Sequence, residues 1–261
     1  MAHEYIVVAH RGGKGNGFEN SIEAIEKSIA QRPDMIEIDI RMTRDHEFVV
    51  FHDAILDRLT NWSGFVNTKT LKTLQKVRLK DGSRMPMLDD VFRLVKKNPS
   101  TRLILDIKDL STGIFDYVKL IKKIRRYGLA ESVIILCINY HLLRRIARDY
   151  PELTYCYFGL LPQRKVLVRA KKIGAAYVGA LMLTKQFIAK AHQRRMKVVS
   201  LGTERIKKLQ WYIRNNVDVI SSGSPVELRE LIGQHLTKKE CQTFMGRFAE
   251  WIMKKLKRDR A

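Results

Sequence analysis

Two carboxylates stand two residues apart in an otherwise apolar segment. Glu37 and Asp39 alternate with isoleucines over residues 35–41, as in a β-strand with one apolar face. On a strand both acids project from the same side, where they repel each other unless a cation lies between them. Oxygen ligands of this kind suit Mg²⁺ or Ca²⁺. An exposed strand edge with two solvated acids is the alternative.

Two histidines follow short apolar runs. The run over residues 48–51 ends in His52 and Asp53, and the first predicted strand ends in His10 and Arg11, before several glycines. An imidazole suits proton transfer near neutral pH. The glycines allow the backbone to approach a ligand closely, but they lack the G-x-G-x-x-G order of a dinucleotide site.

Asp106 and Lys108 repeat the two-residue spacing on a later predicted strand. With Glu37 and Asp39, Asp106 completes a three-acid oxygen site for a divalent ion. Lys108 and Arg11 are then available for a phosphate, arginine through paired hydrogen bonds and lysine as a point charge. A salt bridge between Asp106 and Lys108 is the alternative.

The predicted elements follow the order of an α/β barrel. Short apolar strands alternate with helices in eight units between residues 5 and 234, which favours a parallel (β/α)8 TIM barrel over an open sheet. In such barrels the active residues lie at the carboxyl ends of the strands, where all the residues named above fall. Residues 54–87 lack periodicity and are predicted to form a small insertion over one mouth of the barrel.

The chain is predicted to divide into a barrel over residues 1–235 and a basic amphipathic helix over residues 236–261. In the second segment Phe248, Trp251 and Leu256 recur at helical spacing, with lysines and arginines on the other side. Such a helix suits an anionic membrane interface. Packing on the barrel or on a second subunit is the alternative.

The formal net charge is +22, from 49 lysines and arginines against 27 acids. A positive field of this size attracts polyanions such as anionic lipid headgroups or phosphate-bearing substrates. Nucleic acid is not expected as a partner, because the charge is spread along the chain without a nucleic-acid-binding motif. A generally basic proteome, in which the charge serves solubility, is the alternative.

The cysteines indicate a reducing compartment. Cys137, Cys156 and Cys241 have no metal-ligand spacing and cannot all pair, so free thiols are expected. The first predicted strand begins near residue 5, which leaves no room for a removable signal. We therefore predict a cytoplasmic protein, with attachment to the inner face of a membrane as an open alternative. The oligomeric state is not predicted.

Several of these motifs, in this order, resemble the glycerophosphodiester phosphodiesterase family. The matching segments are His10-Arg11-Gly12, Glu19-Asn20, Glu37-x-Asp39, Val49-Val50-x-His52-Asp53 and Asp106-x-Lys108. The resemblance extends to about Leu231. It implies a TIM barrel and a metal-dependent hydrolase that cleaves glycerophosphodiesters to glycerol phosphate and an alcohol.

The resemblance also implies roles for the metal and phosphate ligands. Glu37, Asp39 and Asp106 would hold one Mg²⁺ or Ca²⁺ against a phosphodiester oxygen. Arg11 and Lys108 would bind the substrate phosphate and stabilise the charge that develops on it.

The proton transfers are implied in the same way. His10 and His52 would divide the acid and base work, with neither role assigned. The nucleophile would be water or the glycerol 2-hydroxyl of the substrate, which gives a cyclic phosphate first. Glu19 would be an additional site residue.

Some segments resemble the membrane-associated, lysophospholipase-D-type branch of the family. They are Gly12-Gly13, Asp106 within Asp-Ile-Lys, and Gly159-Leu-Leu-Pro162. Two segments depart from the family pattern, Leu201-Gly202-Thr203 and Ser222-Gly223-Ser224-Pro225, and both are expected in the pocket wall. Lysophospholipase D action on lysophospholipids at a membrane is therefore an alternative function. An inactive barrel that binds anionic membranes is the non-enzyme alternative.

Overall fold

Eight parallel strands close into a barrel in this protein, for which a computed structural model describes residues 3–108, 115–160 and 162–238. The strands are β1 (Ile6–Ala9), β2 (Met35–Met42), β3 (Phe48–Val50), β4 (Leu103–Ile107), β5 (Val133–Cys137), β6 (Thr154–Gly159), β7 (Tyr177–Ala180), β8 (Lys197–Val199) and β9 (Val219–Ser222). All except β3 pair in parallel, and β1 pairs with both β2 and β9, so the sheet has no open edge. The predicted (β/α)8 TIM barrel is confirmed.

The helices surround this barrel. They are α1 (Ile22–Gln31), α2 (Leu71–Leu74), α3 (Leu88–Lys96), α4 (Tyr117–Tyr127), α5 (Tyr140–Asp149), α6 (Gln163–Lys172), α7 (Lys185–His192), α8 (Ile206–Arg214) and a C-terminal helix α9 over residues 225–238. Each barrel helix buries one apolar stripe, as α5 does with Leu142, Leu143 and Ile146 while Arg144 and Arg145 face solvent.

The C-terminal helix predicted over residues 236–261 lies outside the described residues from residue 239 onward. None of the helices in the described ranges is long and apolar enough to cross a lipid bilayer. Cys137 and Cys156 are buried free thiols, and Cys241 lies beyond the described part of the chain.

Strand alternation decides which side chains face the barrel interior. In β4, Leu103 and Leu105 pack towards the helices, whereas Ile104 belongs to a separate cluster inside the barrel. Asp106, two residues after Ile104, therefore faces the interior. The isoleucines of β2 likewise pack towards the helices, which leaves Glu37 and Asp39 on the interior side.

The third strand lies outside the closed barrel. β3 pairs antiparallel with the end of β2, with Val50 opposite Ile40. The insertion that follows has an apolar cluster of its own, which includes Leu56, Val66 and Leu74. Because β2 pairs directly with β4 below this hairpin, the insertion does not separate the acids of the two strands.

Candidate active site

Three carboxylates converge inside the carboxyl end of the barrel. Asp39 of β2 stands directly opposite Asp106 of β4, and Glu37 lies two residues earlier on β2. Ligand oxygens of all three lie within 4.8 Å of one another. The three residues are only 6%, 0% and 9% exposed for Glu37, Asp39 and Asp106 respectively. The alternative of a solvated strand edge is therefore wrong.

The pKa values of the three acids are shifted in different directions. Burial and the charges of Asp39 and Asp106 raise the pKa of Glu37 well above its usual range. Burial likewise raises the pKa of Asp106 to about 6, although Lys108 opposes the shift. For Asp39 burial is outweighed by Lys108, His52 and Arg11, which hold its pKa below the usual range. The nearby cations are therefore sufficient to favour the ionised form of Asp39, but they do not offset the effect of burial on Glu37 and Asp106.

The site fits a divalent cation. Asp106 Oδ1 is buried and accepts no hydrogen bond from any described residue. A buried carboxylate oxygen without a partner is costly, and a cation bound there would remove that cost. Three carboxylates in one small volume match the all-oxygen ligand sets of Mg²⁺ and Ca²⁺.

Lys108 already neutralises part of the triad. Its Nζ lies 2.6 Å from Asp106 Oδ2 and 3.0 Å from Asp39 Oδ1. Burial alone would lower the pKa of Lys108, but the charges of Asp106 and Asp39 raise it, so the amine stays charged. The salt bridge considered from the sequence thus exists, and it lies within the candidate site.

Arg11 joins the first strand to the acids. Its backbone N–H donates to Glu37 Oε2 at 2.7 Å, and its Nη1 donates to Glu19 Oε1 at 3.0 Å. Its Nε lies 3.6 Å from Asp39 Oδ2. Arg11 adopts a φ of 51°, in the left-handed region that residues other than glycine rarely adopt. The contacts with Glu37 and Glu19 hold it there.

His10 lies against the same acids. Its Nε2 is 3.9 Å from Glu37 Oε2, and its side chain is 18% exposed. Burial and the charge of Arg11 lower the pKa of His10 to about 4, so the imidazole is neutral at pH 7. Gly202 packs against the ring so closely that a Cβ there would lie 2.2 Å from His10 Nδ1.

The carboxylate of Asp53 contacts His52 and orients its ring. Its Nδ1 lies 2.7 Å from Asp53 Oδ1. Burial lowers the pKa of His52, while Asp39 and Asp53 act in the opposite direction. Arg58 fixes Asp53 through Nε at 2.5 Å and lowers its pKa to about 2. Arg58 also donates to Glu19 at 2.8 Å, so the insertion is joined to the first loop.

The structure thus brings all eight residues predicted for the site to one end of the barrel, and it adds others that the sequence reasoning missed. Ser21 caps α1 by accepting a hydrogen bond from the backbone N–H of Ala24, and the preceding Asn20 donates to Asp39. Arg58 lies in the insertion, where no periodicity or motif pointed to it. Asn20 did carry a signal, since it stands within the Glu19-Asn20 motif.

Arg41 donates hydrogen bonds to the backbone of two site residues. Its Nε donates to the carbonyl of His52 at 2.9 Å, and its Nη1 donates to the carbonyl of Lys108 at 3.3 Å. Arg41 therefore fixes the backbone of one histidine and of the lysine together.

Comparisons with known proteins find a matching family model and several relatives. The family model described as "Glycerophosphoryl diester phosphodiesterase family" matches residues 10–225, which include every residue of the site. A glycerophosphodiester phosphodiesterase of Caldanaerobacter subterraneus is 36% identical over 169 residues, which are 60% of this chain and 67% of that protein. A lysophospholipase D of Mus musculus is 31% identical over 182 residues, 60% of this chain and 54% of that protein.

A solved structure gives the same fold. The phosphodiesterase of Oleispira antarctica, in complex with the product sn-glycerol-3-phosphate, has a TM-score of 0.79 at 20% identity. The match covers 87% of this chain and 96% of that chain.

Proposed function

The chain belongs to the glycerophosphoryl diester phosphodiesterase family, and on that premise we propose that it hydrolyses glycerophosphodiesters to glycerol phosphate and an alcohol at the mouth of the barrel. The observation that carries the proposal is the buried group of Glu37, Asp39 and Asp106, with its two flanking cations and two histidines. Its negative charge suits a metal ion, and the neighbouring groups suit a phosphodiester.

Glu37, Asp39 and Asp106 would hold one divalent cation, Mg²⁺ or Ca²⁺. When bound, such an ion would offset the negative charge that develops on the phosphate oxygens. The unsatisfied Asp106 Oδ1 supports this assignment.

Arg11 and Lys108 would bind the phosphate itself. Arg11 Nε is buried and donates no hydrogen bond within the described ranges, so it can donate to a phosphate oxygen. Lys108 is held charged at the mouth by Asp106 and Asp39. Both cations stand where charge increases during the reaction, and fixed charges of this kind stabilise the transition state.

The two histidines would divide the proton transfers. His10, neutral at pH 7, accepts the proton of the nucleophilic hydroxyl as its oxygen bonds to phosphorus. Protonated His52 donates to the alcohol oxygen as the bond from that oxygen to phosphorus breaks. Burial lowers the pKa of His52 as well, but Asp39 and Asp53 oppose that shift, whereas the pKa of His10 falls to about 4. Of the two histidines, His52 is therefore the one to which we assign the acid role.

The nucleophile would be water or the glycerol 2-hydroxyl of the substrate. In the second case, a cyclic phosphate forms and the alcohol leaves, and water then opens the ring. The same two histidines serve both steps, because His52 has lost its proton and His10 has gained one.

Water-soluble diesters such as glycerophosphocholine are the first substrates to test, and lysophospholipids are the second. The lysophospholipase D relative favours the second class. Choline release from glycerophosphocholine and from lysophosphatidylcholine should be measured side by side with Mg²⁺ or Ca²⁺. We expect the wild type to release choline, EDTA to abolish this release, and His10→Ala to release none. The absence of release from both substrates would contradict the proposal, and the ratio of the two rates assigns the substrate class.

A further inference from the structure

The most exposed large apolar side chains of the described residues lie on three neighbouring loops. They are Met182 at 75%, Leu160 at 61%, Ile206 at 59% and Leu181 at 57% exposure. Leu160 directly follows β6, Leu181 and Met182 directly follow β7, and Ile206 opens α8 after β8. We call these four residues the apolar rim. Because β6, β7 and β8 are adjacent and parallel, the apolar rim lies on the carboxyl face of the barrel, where the site opens.

The loops that carry the apolar rim are joined to each other. Gln163 at the start of α6 donates from Nε2 to the carbonyl of Met182 at 2.7 Å. Thr184 Oγ1 donates to Gln163 Oε1 at 2.8 Å. The loops after β6 and β7 therefore form one surface. The loop after β8 connects that surface to the site through Gly202, which packs on His10.

Positive charge surrounds the apolar rim. Six exposed basic residues occupy the same loops and the first turns of α6, α7 and α8, and we call them the basic collar: Arg164, Lys165, Lys185, Arg205, Lys207 and Lys208. None of the six forms an ion pair with a described carboxylate. Glu204 is the one acid in these three segments of the sequence, and it pairs with Lys14 at 3.2 Å.

We propose that this face docks on an anionic phospholipid membrane, with the apolar rim inserted among the acyl chains and the basic collar on the headgroups. Large apolar side chains flanked by lysine and arginine are the combination that binds anionic lipid interfaces. Exposed apolar patches of this kind mark interaction sites in proteins. Lipid is favoured over a protein partner because the collar is almost uniformly positive and the whole chain carries a net charge of +22.

Docking on a membrane would bring lipid substrates to the site, and in that respect the inference rests on the proposed function. The docked face lies along one side of the mouth of the barrel, so a phosphodiester headgroup in the bilayer would lie near the acids and histidines. The docking surface includes none of the residues of the amphipathic helix predicted over residues 236–261. The two can be distinguished, because substitutions in the loops leave that segment unchanged.

The test is co-sedimentation of the full chain with vesicles of mixed phosphatidylglycerol and phosphatidylcholine. The apolar variant is Leu160→Ser/Met182→Ser/Ile206→Ser, and its control is Val168→Ser, which removes an exposed apolar side chain from the middle of α6. The basic variant is Arg164→Gln/Lys185→Gln/Lys207→Gln. Its control, Lys96→Gln/Lys97→Gln/Lys172→Gln, removes the same charge from the carboxyl ends of α3 and α6, at the opposite end of the barrel.

We expect the basic variant to bind anionic vesicles about 100-fold more weakly than the wild type and the apolar variant about tenfold more weakly. Both controls should bind within about threefold of the wild type. Equal losses in a variant and its control would overturn the proposal, as would wild-type binding by both loop variants. Failure of the wild type to bind vesicles would exclude lipid as the occupant and leave a protein partner.

A second measurement separates this proposal from the proposed function. Turnover of soluble glycerophosphocholine should be unchanged in all four variants, which also shows that they fold. A wild-type chain that binds vesicles through these loops without any turnover would refute the proposed function alone. Turnover of the soluble substrate, together with vesicle binding that the loop substitutions do not change, would refute the docking proposal alone.

Discussion

Asn20 and Asp39 hydrogen-bond to each other in both directions. The Nδ2 of Asn20 donates to Asp39 Oδ2 at 2.7 Å, and the backbone N–H of Asp39 donates to Asn20 Oδ1 at 3.2 Å. Asn20 has a φ of 60°, which asparagine tolerates better than most residues. The pair fixes one carboxylate of the triad and helps to lower its pKa.

We therefore predict that Asn20→Ala weakens divalent metal binding by about 10- to 100-fold, the usual cost of removing a group that orients a ligand. Calorimetric titration with Mg²⁺ and Ca²⁺ measures it. Asn16→Ala is the control, because Asn16 bonds Gln31 and Ser28 away from the acids. Unchanged affinity in Asn20→Ala would remove Asp39 from the ligand set.

The two histidines should be distinguishable by leaving group. His10→Ala and His52→Ala should each lower kcat for glycerophosphocholine by about 10²- to 10⁴-fold, whereas exposed His141→Ala should not. Nitrophenolate leaves as a stable anion that needs no proton, so a nitrophenyl diester should restore much of the activity of His52→Ala and little of that of His10→Ala. Restoration of His10→Ala instead would reverse the two roles.

Metal binding should release protons. Burial and neighbouring acids raise the pKa of Glu37 and Asp106, the latter to about 6, so these acids hold protons at a pH where free carboxyls do not. A cation competes with those protons, and its apparent affinity should rise from pH 6 to pH 8. Titrations in buffers of different ionisation enthalpy measure the protons released. Affinity that is flat with pH would contradict the assignment.

Arg58 should stabilise the fold in a pH-dependent way. The pKa of Asp53 is depressed in the folded state to about 2, from about 3.9 in the unfolded chain. The pair with Arg58 therefore stabilises the protein fully above pH 4, and this contribution is lost as pH falls through 2. Since Arg58 is half exposed, we expect Arg58→Gln to cost about 0.5–1 kcal/mol at pH 7 and almost nothing at pH 2.

Urea unfolding of both proteins between pH 7 and pH 2 measures this difference. Arg78→Gln is the matched control, because Arg78 donates to the backbone carbonyls of Gln75 and Val77 in the same insertion. Its free-energy difference from the wild type should not change over this pH range. A pH-independent cost for Arg58→Gln would exclude the ion pair as its cause.

Gly202→Ala should impair the site without unfolding the barrel. A methyl group there would lie 2.2 Å from His10 Nδ1, so the imidazole must move. A displacement of about 1 Å costs on the order of 100-fold in rate. Turnover of glycerophosphocholine and the thermal midpoint should be measured together. Gly233→Ala, with no atom within 4 Å of the new Cβ, is the control, and full activity in Gly202→Ala would show that the ring adjusts.

The barrel and its acids were predictable because strand periodicity assigns a face to each residue. Alternation in β2 placed Glu37 and Asp39 together, and the spacing of Asp106 and Lys108 gave the second half of the cluster. The antiparallel pairing of β3 had no local signal, since three apolar residues fit either orientation. Arg58 and the bonding of Asn20 depend on contacts between segments 19 to 39 residues apart, which no local pattern encodes.

The position of β3 outside the closed barrel makes the insertion an exchangeable module. Asp39 and Asp106 stand opposite each other in the paired strands β2 and β4, and this pairing does not involve the chain that follows His52. A grafted segment of another length would have to rejoin the hairpin where Met87 bridges Val49, and it would have to supply a substitute for Arg58. The barrel could thus keep its chemistry while the insertion is replaced, so reactivity and substrate preference can diverge independently in descendants of this chain.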